Sequence, residues 1–215
     1  MPQNYGIPSL TDIAFQSGRI VRFSGACRVH WTVLHHLFVC RTLVDVLYEA
    51  AQGPCPVCEQ AEGCTCRGRL TLCCMLHDAE EVATGDIPSL WKTAEQRAQV
   101  KPLQGRVFQA YVGQVPSSDE SKFIKAVDRL ALVAECVVVG PPGVLEHSGL
   151  ASWADTMGDK HLLDAAQHIV RAARSTAPEE RDTMRGADSS LVRWFLREMH
   201  VGGAQNPFAE RLLWP

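Results

Sequence analysis

The sequence lacks a long apolar run, an excess of basic charge and a leader-like beginning. Its longest apolar stretch, LALVAECVVVG at 130–140, is much shorter than the roughly 20 residues of a membrane-spanning helix. The net charge is −3 and no long basic stretch occurs, which argues against a broad binding surface for duplex DNA. The opening MPQNYGIPSLTDIAFQSG has no basic start followed by an apolar run, so it does not have the form of a signal peptide. We therefore predict a cytoplasmic protein with neither a membrane nor a nucleic-acid partner.

The chain is long enough for one domain with an appendage. It has 215 residues, of which 46% are hydrophobic and 21% charged, an ordinary balance for a globular protein with a sizeable core. Helical periodicity recurs, whereas internal repeats and convincing strand pairing are lacking. We predict an all-α fold with a core at 1–140. The sequence GPPG at 140–143 stops the last core helix, and 141–215 is expected to form a helical extension that packs on the core, with helices at 160–175 and 189–200.

The core is expected to consist of amphipathic helices. A short helix starts after Ser9, which can cap it together with Asp12, and ends near Gly18. The other predicted helices cover 29–51 and 70–83, helical stretches in 90–112 that Pro102 and Gly105 interrupt, and a helix that opens on the cap-type Ser117 and Ser118. Their apolar residues recur at helical spacing and should face the core: Val33, Leu37, Cys40, Val44 and Leu47 in one helix, Phe123, Val127, Leu130 and Ala134 in another.

Cysteine is abundant, and its distribution is uneven. Nine cysteines, an odd number without a signal peptide, argue against a disulfide framework. Four of them lie in a Gly-, Cys- and Pro-rich insertion at 52–69, namely Cys55, Cys58, Cys64 and Cys66. CxxC is a common half-site for structural zinc, although the CxC of the second pair is less typical. Two interpretations stay open: a structural zinc that orders the loop without taking part in chemistry, and a flexible surface loop with free thiols.

The dipeptide His77-Asp78 suggests a metal site. A His beside an Asp in an apolar helix costs free energy unless both side chains have partners. Ligands from neighbouring helices would complete such a site, and His36 and Asp128 are the natural candidates because each lies mid-helix among apolar residues. Two nitrogens and two carboxylates suit zinc, manganese, cobalt or iron, with a position left for water. Alternatively, His36 is a core histidine bonded to a backbone carbonyl, and Asp128 pairs with Arg129 or a neighbouring helix.

Several motifs in a fixed order surround this dipeptide. They are His77-Asp78, Glu81, Thr84-Gly85-Asp86-Ile87-Pro88 and Lys92, with Arg22-Phe23 and Thr32-Val33-Leu34-His35-His36 upstream and Lys125-Ala126-Val127-Asp128 downstream. The set resembles the HD-domain phosphohydrolase superfamily, in the branch of bacterial 5'-deoxynucleotidases and the related phage dATP and dNTP triphosphohydrolases. The resemblance spans roughly residues 10–135. The chain departs from the family pattern at His35, where the family often has Glu, and at Phe23, where Trp is common. The motif register favours His36 over His35.

The resemblance implies an HD-domain helical bundle that hydrolyses deoxynucleotides, either 5'-monophosphates or triphosphates, with one divalent metal ion. It implies the same four ligands: His36, His77, Asp78 and Asp128. A general acid/base role falls to Glu81 or Asp86, and Arg22, Phe23 and Lys92 are the substrate contacts. Because members of this branch are often oligomers, we expect a homo-oligomer, located in the host cytoplasm if a phage encodes it.

Each of these roles has an ordinary structural alternative. Glu81 lies four residues after His77, which puts both on one helix face, but it can also be a solvated helix residue. Asp86 can be a turn residue, Phe23 a core aromatic and Lys92 a surface lysine. For the whole chain, the competing function is a zinc-ordered binding module on a catalytically inactive HD scaffold, which the cysteine cluster motivates.

Overall fold

The computed structural model describes residues 6–25, 30–50, 55, 57–58, 60, 64–87 and 92–139. This part of the chain forms α1 (Leu10–Ser17), a 3-10 turn (Phe23–Gly25), α2 (Val33–Ala50), α3 (Cys66–Leu76), α4 (Glu81–Thr84), α5 (Ala94–Val112) and α6 (Ser118–Val138). Within the described ranges no strand occurs, and the only β-type pairing is an isolated antiparallel bridge between Val21 and Thr32. The prediction of an all-α fold is confirmed for these residues. The predicted extension at 141–215 and its two helices lie outside them.

Helix α2 is the centre of the core. It packs against α3 and α6, while α3 also contacts α5 and α6, and α1 packs on α2 and α4. The five apolar residues predicted to share one face of α2 are all buried, as are Val127, Leu130 and Ala134 of α6, with Phe123 half-buried beside them. None of the described helices combines the length and apolar character needed to cross a bilayer.

Three of the helices begin with a capping box. In α1 the Ser9 hydroxyl accepts from the Asp12 amide and the Asp12 carboxylate accepts from the Ser9 amide, as predicted. Ser117 and Glu120 form the same reciprocal pair at α6, and Thr93 and Gln96 form it at α5. Each pair satisfies amide donors that the first helical turn leaves without an acceptor.

The predicted helix at 70–83 is wrong in both of its boundaries. Helix α3 begins earlier, at Cys66, within the predicted insertion at 52–69, and its residues Arg67 and Arg69 make ion pairs with α2 and α6. It also ends at Leu76. The Cys74 carbonyl, the acceptor that a continued helix would assign to the Asp78 amide, accepts instead from His77 Nδ1 at 2.7 Å. His77 and Asp78 therefore lie in a turn between α3 and α4.

The predicted interruption of the helix around Pro102 and Gly105 is also wrong, because α5 runs without a break from Ala94 to Val112. A proline inside a helix costs about 3 kcal/mol and a glycine about 1 kcal/mol. Four apolar side chains of α5 are buried on the core, Leu103, Val107, Phe108 and Tyr111. Burial of each is worth about 1.5–3 kcal/mol, so packing together with the N-terminal capping box outweighs both penalties.

Candidate metal centre

His36 lies one turn into α2 and is fully buried. Its Nδ1 is 2.8 Å from Oε1 of Glu135, a buried carboxylate on α6. Since a carboxylate accepts, Nδ1 carries the hydrogen and donates it. This bond fixes the ring orientation and leaves Nε2 directed toward the end of α3.

His77 is held in a similar way by a backbone acceptor. Its Nδ1 donates to the Cys74 carbonyl at 2.7 Å. The side-chain amide of Gln104, on α5, donates to the Leu76 carbonyl at 2.6 Å and thereby ties the end of α3 to α5. As a result, Nε2 of His77 faces Nε2 of His36 across 3.3 Å.

Two carboxylates approach both of these nitrogens. Asp78 Oδ2 is 3.5 Å from His36 Nε2 and 3.3 Å from His77 Nε2. Asp128 Oδ1 is 3.3 Å from His36 Nε2 and 3.6 Å from His77 Nε2. The structure thus brings together all four side chains that the sequence nominated as ligands, from α2, the turn after α3, and α6.

These separations fit a metal site. Zinc-type ligands lie about 2.0–2.2 Å from the ion, so the corners of a tetrahedron around it are about 3.3–3.6 Å apart. The five pairs that include a histidine Nε2 are separated by 3.3–3.6 Å. Each histidine also has its second nitrogen bonded to an oxygen acceptor, which is the usual arrangement of metal-binding histidines. This part of the chain can therefore hold a divalent ion.

The charges of the cluster act strongly on one another. Burial opposes protonation of His77, but Asp78 and Asp128 outweigh it and raise the pKa of His77 to about 10. Burial likewise opposes ionisation of Asp128, yet the two histidines hold its pKa well below the usual range. Without an ion, positive charge on the imidazoles balances the carboxylates, and a cation bound between them would take over that role.

Solvent reaches the centre from the α6 side. The side chain of Asp128 is 40% exposed, whereas that of His36 is fully buried. Asp78 is intermediate, at 16%. Asp128 is therefore the most exposed of the four candidate ligands, and His36 is the one that lies within the core.

Cys40 is a neighbour of the centre that the sequence predicted only as a core residue. It lies one turn after His36 on α2, and its Sγ is 3.5 Å from His36 Nε2. Ligand atoms of His36, Cys40 and His77 all lie within 4.8 Å of one another. Burial raises the pKa of the Cys40 thiol well above its ordinary value, so the sulfur is neutral. His36, Cys40 and His77 could themselves hold a metal ion, so Cys40 is an alternative to the nominated carboxylates as a third ligand.

Glu135 was not predicted as a site residue. Its side chain is fully buried and bridges His36 on one oxygen and Arg22 on the other, with 3.2 Å between Glu135 Oε2 and Arg22 Nε. Burial raises the pKa of a carboxyl group, but Arg22 and His36 reverse the effect and keep the pKa of Glu135 low. A sequence signal existed, since Glu135 follows Asp128 by seven residues, two helical turns, within an otherwise apolar stretch.

Arg22 is part of the centre rather than a separate surface contact. Its Nη1 is 3.8 Å from Asp78 Oδ2, and its Nε faces Glu135. The guanidinium also lies 5.7 Å from the centre of the Phe23 ring, a cation–π distance. Phe23 has a backbone φ of +54°, unusual for a residue with a Cβ, in the turn that brings Arg22 inward.

Glu81 and Lys92 form a pair beside the ligands. Because α3 ends at Leu76, Glu81 does not continue the His77 helix face as predicted, but begins α4. Its Oε1 accepts from Lys92 Nζ at 3.5 Å, and Glu80 is 3.9 Å from the same amine. Burial together with the charges of Asp78 and Asp86 raises the pKa of Glu81 to about 9, against the opposing effect of Arg22 and Lys92.

Asp86 follows a glycine turn at the end of α4. Gly85 has φ +73° and ψ 169°, a conformation essentially limited to glycine, and its amide donates to the Glu81 carbonyl at 2.7 Å. This turn brings Asp86 toward the centre. Burial and Asp78 raise the pKa of Asp86, while Arg22 and Lys92 lower it, with a net upward shift.

His35, the alternative to His36, belongs to a different environment. Its Nδ1 accepts from the Thr32 amide at 3.2 Å and is 2.7 Å from the Thr32 hydroxyl, and its ring stacks on Trp31 at 4.7 Å. His35 therefore caps the start of α2, whereas His36 faces His77.

A second cluster, of four thiols, lies between α2 and α3. The sulfurs of Cys55, Cys58, Cys64 and Cys66 all lie within 4.8 Å of one another, and all are free thiols. Burial opposes ionisation of Cys55, but hydrogen bonds from the Tyr48 hydroxyl and from backbone amides lower its pKa to about 6. Like the histidine centre, this group can hold a metal ion.

Comparison with known proteins gives no relative. No family model matches the chain, and no curated protein matches it. The resemblance to HD-domain phosphohydrolases thus remains a prediction from the ordered motifs, and the geometry of the centre is the independent support for a metal site.

Proposed function

We propose that the chain is an HD-type, metal-dependent phosphohydrolase that acts on deoxynucleotides. The observation that carries this proposal is that the Nε2 atoms of His36 and His77 lie 3.3 Å apart and that Asp78 and Asp128 each have a carboxylate oxygen 3.3–3.6 Å from both nitrogens. These residues are up to 92 positions apart in the sequence and come from α2, the turn after α3, and α6. A purely structural core would gain little from burying so many ionisable groups together, because each charge taken from water costs free energy.

The four side chains would hold one divalent ion. When bound, such an ion supplies an activated water and polarises a phosphoryl oxygen. The protein's own contribution is to hold the ligands in place, through the bonds of His36 to Glu135 and of His77 to the Cys74 carbonyl. The exposed side of Asp128 leaves room for the phosphate ester to approach.

Glu81 is our candidate for proton transfer. It is buried beside Asp78 and Asp86 and contacts Lys92, so its carboxyl group lies at the edge of the ligand cluster rather than in it. A carboxyl group in this position can pass a proton to a leaving oxygen. Asp86 is the second candidate, at the other side of the Gly85 turn.

The cations near the centre suit an anionic substrate. Lys92 contacts the carboxylates of Glu81 and Glu80, and its amine would exchange a carboxylate for a phosphate oxygen when substrate binds. Arg22 is bound more deeply, to Glu135 and Asp78, and we assign it to fixing those carboxylates. That the substrate is a deoxynucleotide rests on the resemblance of the motifs.

The test is a panel of dNMPs and dNTPs with manganese, cobalt, zinc and magnesium, scored for phosphate, triphosphate and nucleoside. Nucleoside plus triphosphate identifies a triphosphohydrolase, and nucleoside plus phosphate from monophosphates alone identifies a nucleotidase. An absence of turnover with every nucleotide and every metal would contradict the proposal.

A second candidate function is a zinc-ordered binding module on an inactive HD scaffold. The observation in its favour is that Arg22 and Lys92, the expected phosphate contacts, are both ion-paired with carboxylates of the protein. In that case the panel gives no product, while metal still binds the thiol cluster. The retained set of ligands together with Glu81 and Asp86 favours the enzyme.

A further inference from the structure

The four-thiol cluster joins the end of one helix to the beginning of another. Cys66 is the first residue of α3, and Cys55 is contacted by Tyr48 near the end of α2, with 3.3 Å between the Tyr48 hydroxyl oxygen and Cys55 Sγ. Cys58 and Cys64 lie between them, with their sulfurs 3.3 Å apart and no disulfide bond. The cluster therefore spans the connection from α2, which contains His36, to α3, which His77 follows.

Hydrogen-bond donors are directed at these sulfurs. The Val57 amide donates to Cys55 Sγ at 3.5 Å, and the Cys66 amide donates to Cys64 Sγ at 3.2 Å. In each case the donor lies two residues after the cysteine. A neutral thiol is a weak acceptor, whereas a thiolate bound to a metal is a good one, so this pattern suits metal-bound sulfur.

The distances also suit a single ion. Zinc–sulfur bonds of about 2.3 Å put the sulfurs of a tetrahedral site about 3.8 Å apart. The observed sulfurs are 3.3 Å apart at Cys58 and Cys64, and none of the four is more than 4.8 Å from another. Only small side-chain movements separate this arrangement from a regular tetrahedron.

We propose that Cys55, Cys58, Cys64 and Cys66 bind a structural zinc ion that fixes α3 against the end of α2. Four thiolates close the coordination sphere, so the ion has no position for water or substrate. An ion pair on the same helices acts in parallel, since Arg67 of α3 donates to Asp45 of α2 at 2.8 Å. The proposal stands apart from the proposed hydrolase function and holds even if the chain has no enzymatic activity.

The test measures metal content and cobalt spectra of the full chain. The native protein, purified without chelator, should contain one zinc that remains after His77→Ala removes the histidine centre. The double variant Cys58→Ser/Cys64→Ser should lose that equivalent, and it should also lose the thiolate-to-cobalt charge-transfer absorption seen after cobalt substitution. Cys73→Ala removes a buried α3 thiol outside the cluster and should keep both signals.

A second measurement needs no variant and covers the case in which the double variant does not fold. Titrating the native chain with a thiol-modifying reagent in the presence of a colorimetric zinc indicator should release zinc in step with modification of four thiols. The proposal is overturned if the folded double variant retains the native zinc content and cobalt spectrum, or if Cys55, Cys58, Cys64 and Cys66 of the native chain all react without any release of zinc. Isolation of the native chain with these cysteines as two disulfides would also overturn it.

Discussion

Each histidine of the centre uses one ring nitrogen to fix its orientation and presents the other to the cluster. For His36 the fixing partner is the Glu135 carboxylate, and for His77 it is the Cys74 carbonyl. The carboxylate partner can be changed by mutation, whereas the backbone partner cannot. Glu135 is therefore the residue at which the positioning role can be tested without removing a ligand.

Glu135→Gln should weaken metal binding at the centre by about 10- to 100-fold, the usual effect of removing a carboxylate behind a metal-binding histidine. The amide keeps the shape of the side chain but carries no charge to hold His36 and Arg22. Competition between the protein and a chelator for manganese measures the affinity. Asp119→Asn is the matched control on the same helix, since Asp119 is 70% exposed, and its affinity should equal that of the native chain. Equal affinities for Glu135→Gln and the native chain would refute the positioning role.

Glu81→Gln should lower the rate of hydrolysis by about 100- to 10,000-fold, the range associated with a lost general acid or base. Manganese should still bind, because Glu81 is not one of the four ligands. The measurement is kcat on the best nucleotide of the panel together with bound manganese per chain. Glu95→Gln, at an exposed residue of α5, should leave kcat unchanged. Loss of manganese together with activity would assign Glu81 to the ligand set instead.

The four candidate ligands could be predicted from the sequence, whereas the contacts that hold them in place could not. His77-Asp78, His36 and Asp128 stand out because they are polar residues in apolar or motif-rich segments. Glu135 and Cys40 depend on which faces of α2 and α6 meet, which is a property of tertiary packing. Arg22 was predicted to contact substrate, but it makes ion pairs with Asp78 and Glu135. These pairs depend on how the segment before the 3-10 turn at Phe23–Gly25 packs against α6, which the sequence does not give.

At the scale of elements, the turn between α3 and α4 matters most for the site. Sequence periodicity predicted one helix at 70–83, because the apolar residues before His77 and the Glu-rich residues after it both suit a helix. The side chain of His77 competes for a backbone carbonyl, and this local hydrogen bond ends α3. In α5, by contrast, the sequence predicted an interruption and the helix is continuous, because burial of its apolar face keeps it intact through Pro102 and Gly105. In α5, packing therefore outweighs the two helix breakers, whereas at the end of α3 a side-chain hydrogen bond outweighs helical periodicity.

Gly85→Ala should destabilise the protein by about 1–3 kcal/mol, since a Cβ is strained at φ +73° and ψ 169°. Urea unfolding followed by circular dichroism measures the free energy of unfolding. Gly105→Ala is a matched control for which the opposite change in the free energy of unfolding is expected. Gly105 lies inside α5 with no atom near the new Cβ, so the alanine should stabilise the protein by about 0.5–1 kcal/mol. If both variants change stability in the same direction, the glycine turn does not have the conformation described.

At the scale of the whole molecule, the proposed ion connects α2, the end of α3 and α6. The unfolded chain does not hold the four candidate ligands together and has no comparable site. Manganese at about 100 times its Kd should therefore raise the free energy of unfolding by about 2.7 kcal/mol. Manganese is chosen because it prefers nitrogen and oxygen ligands over the thiol cluster. The increase should be absent in Asp128→Ala, and an equal increase in that variant would show that manganese binds elsewhere.

The most direct measurement compares His77→Ala with His30→Ala, which changes an exposed histidine, for hydrolysis of the nucleotide panel and for bound manganese. We predict that His30→Ala retains both properties of the native chain, while His77→Ala stays folded, loses bound manganese and loses hydrolysis of every nucleotide. Hydrolysis by His77→Ala at the native rate would contradict the assignment of this centre as the catalytic site.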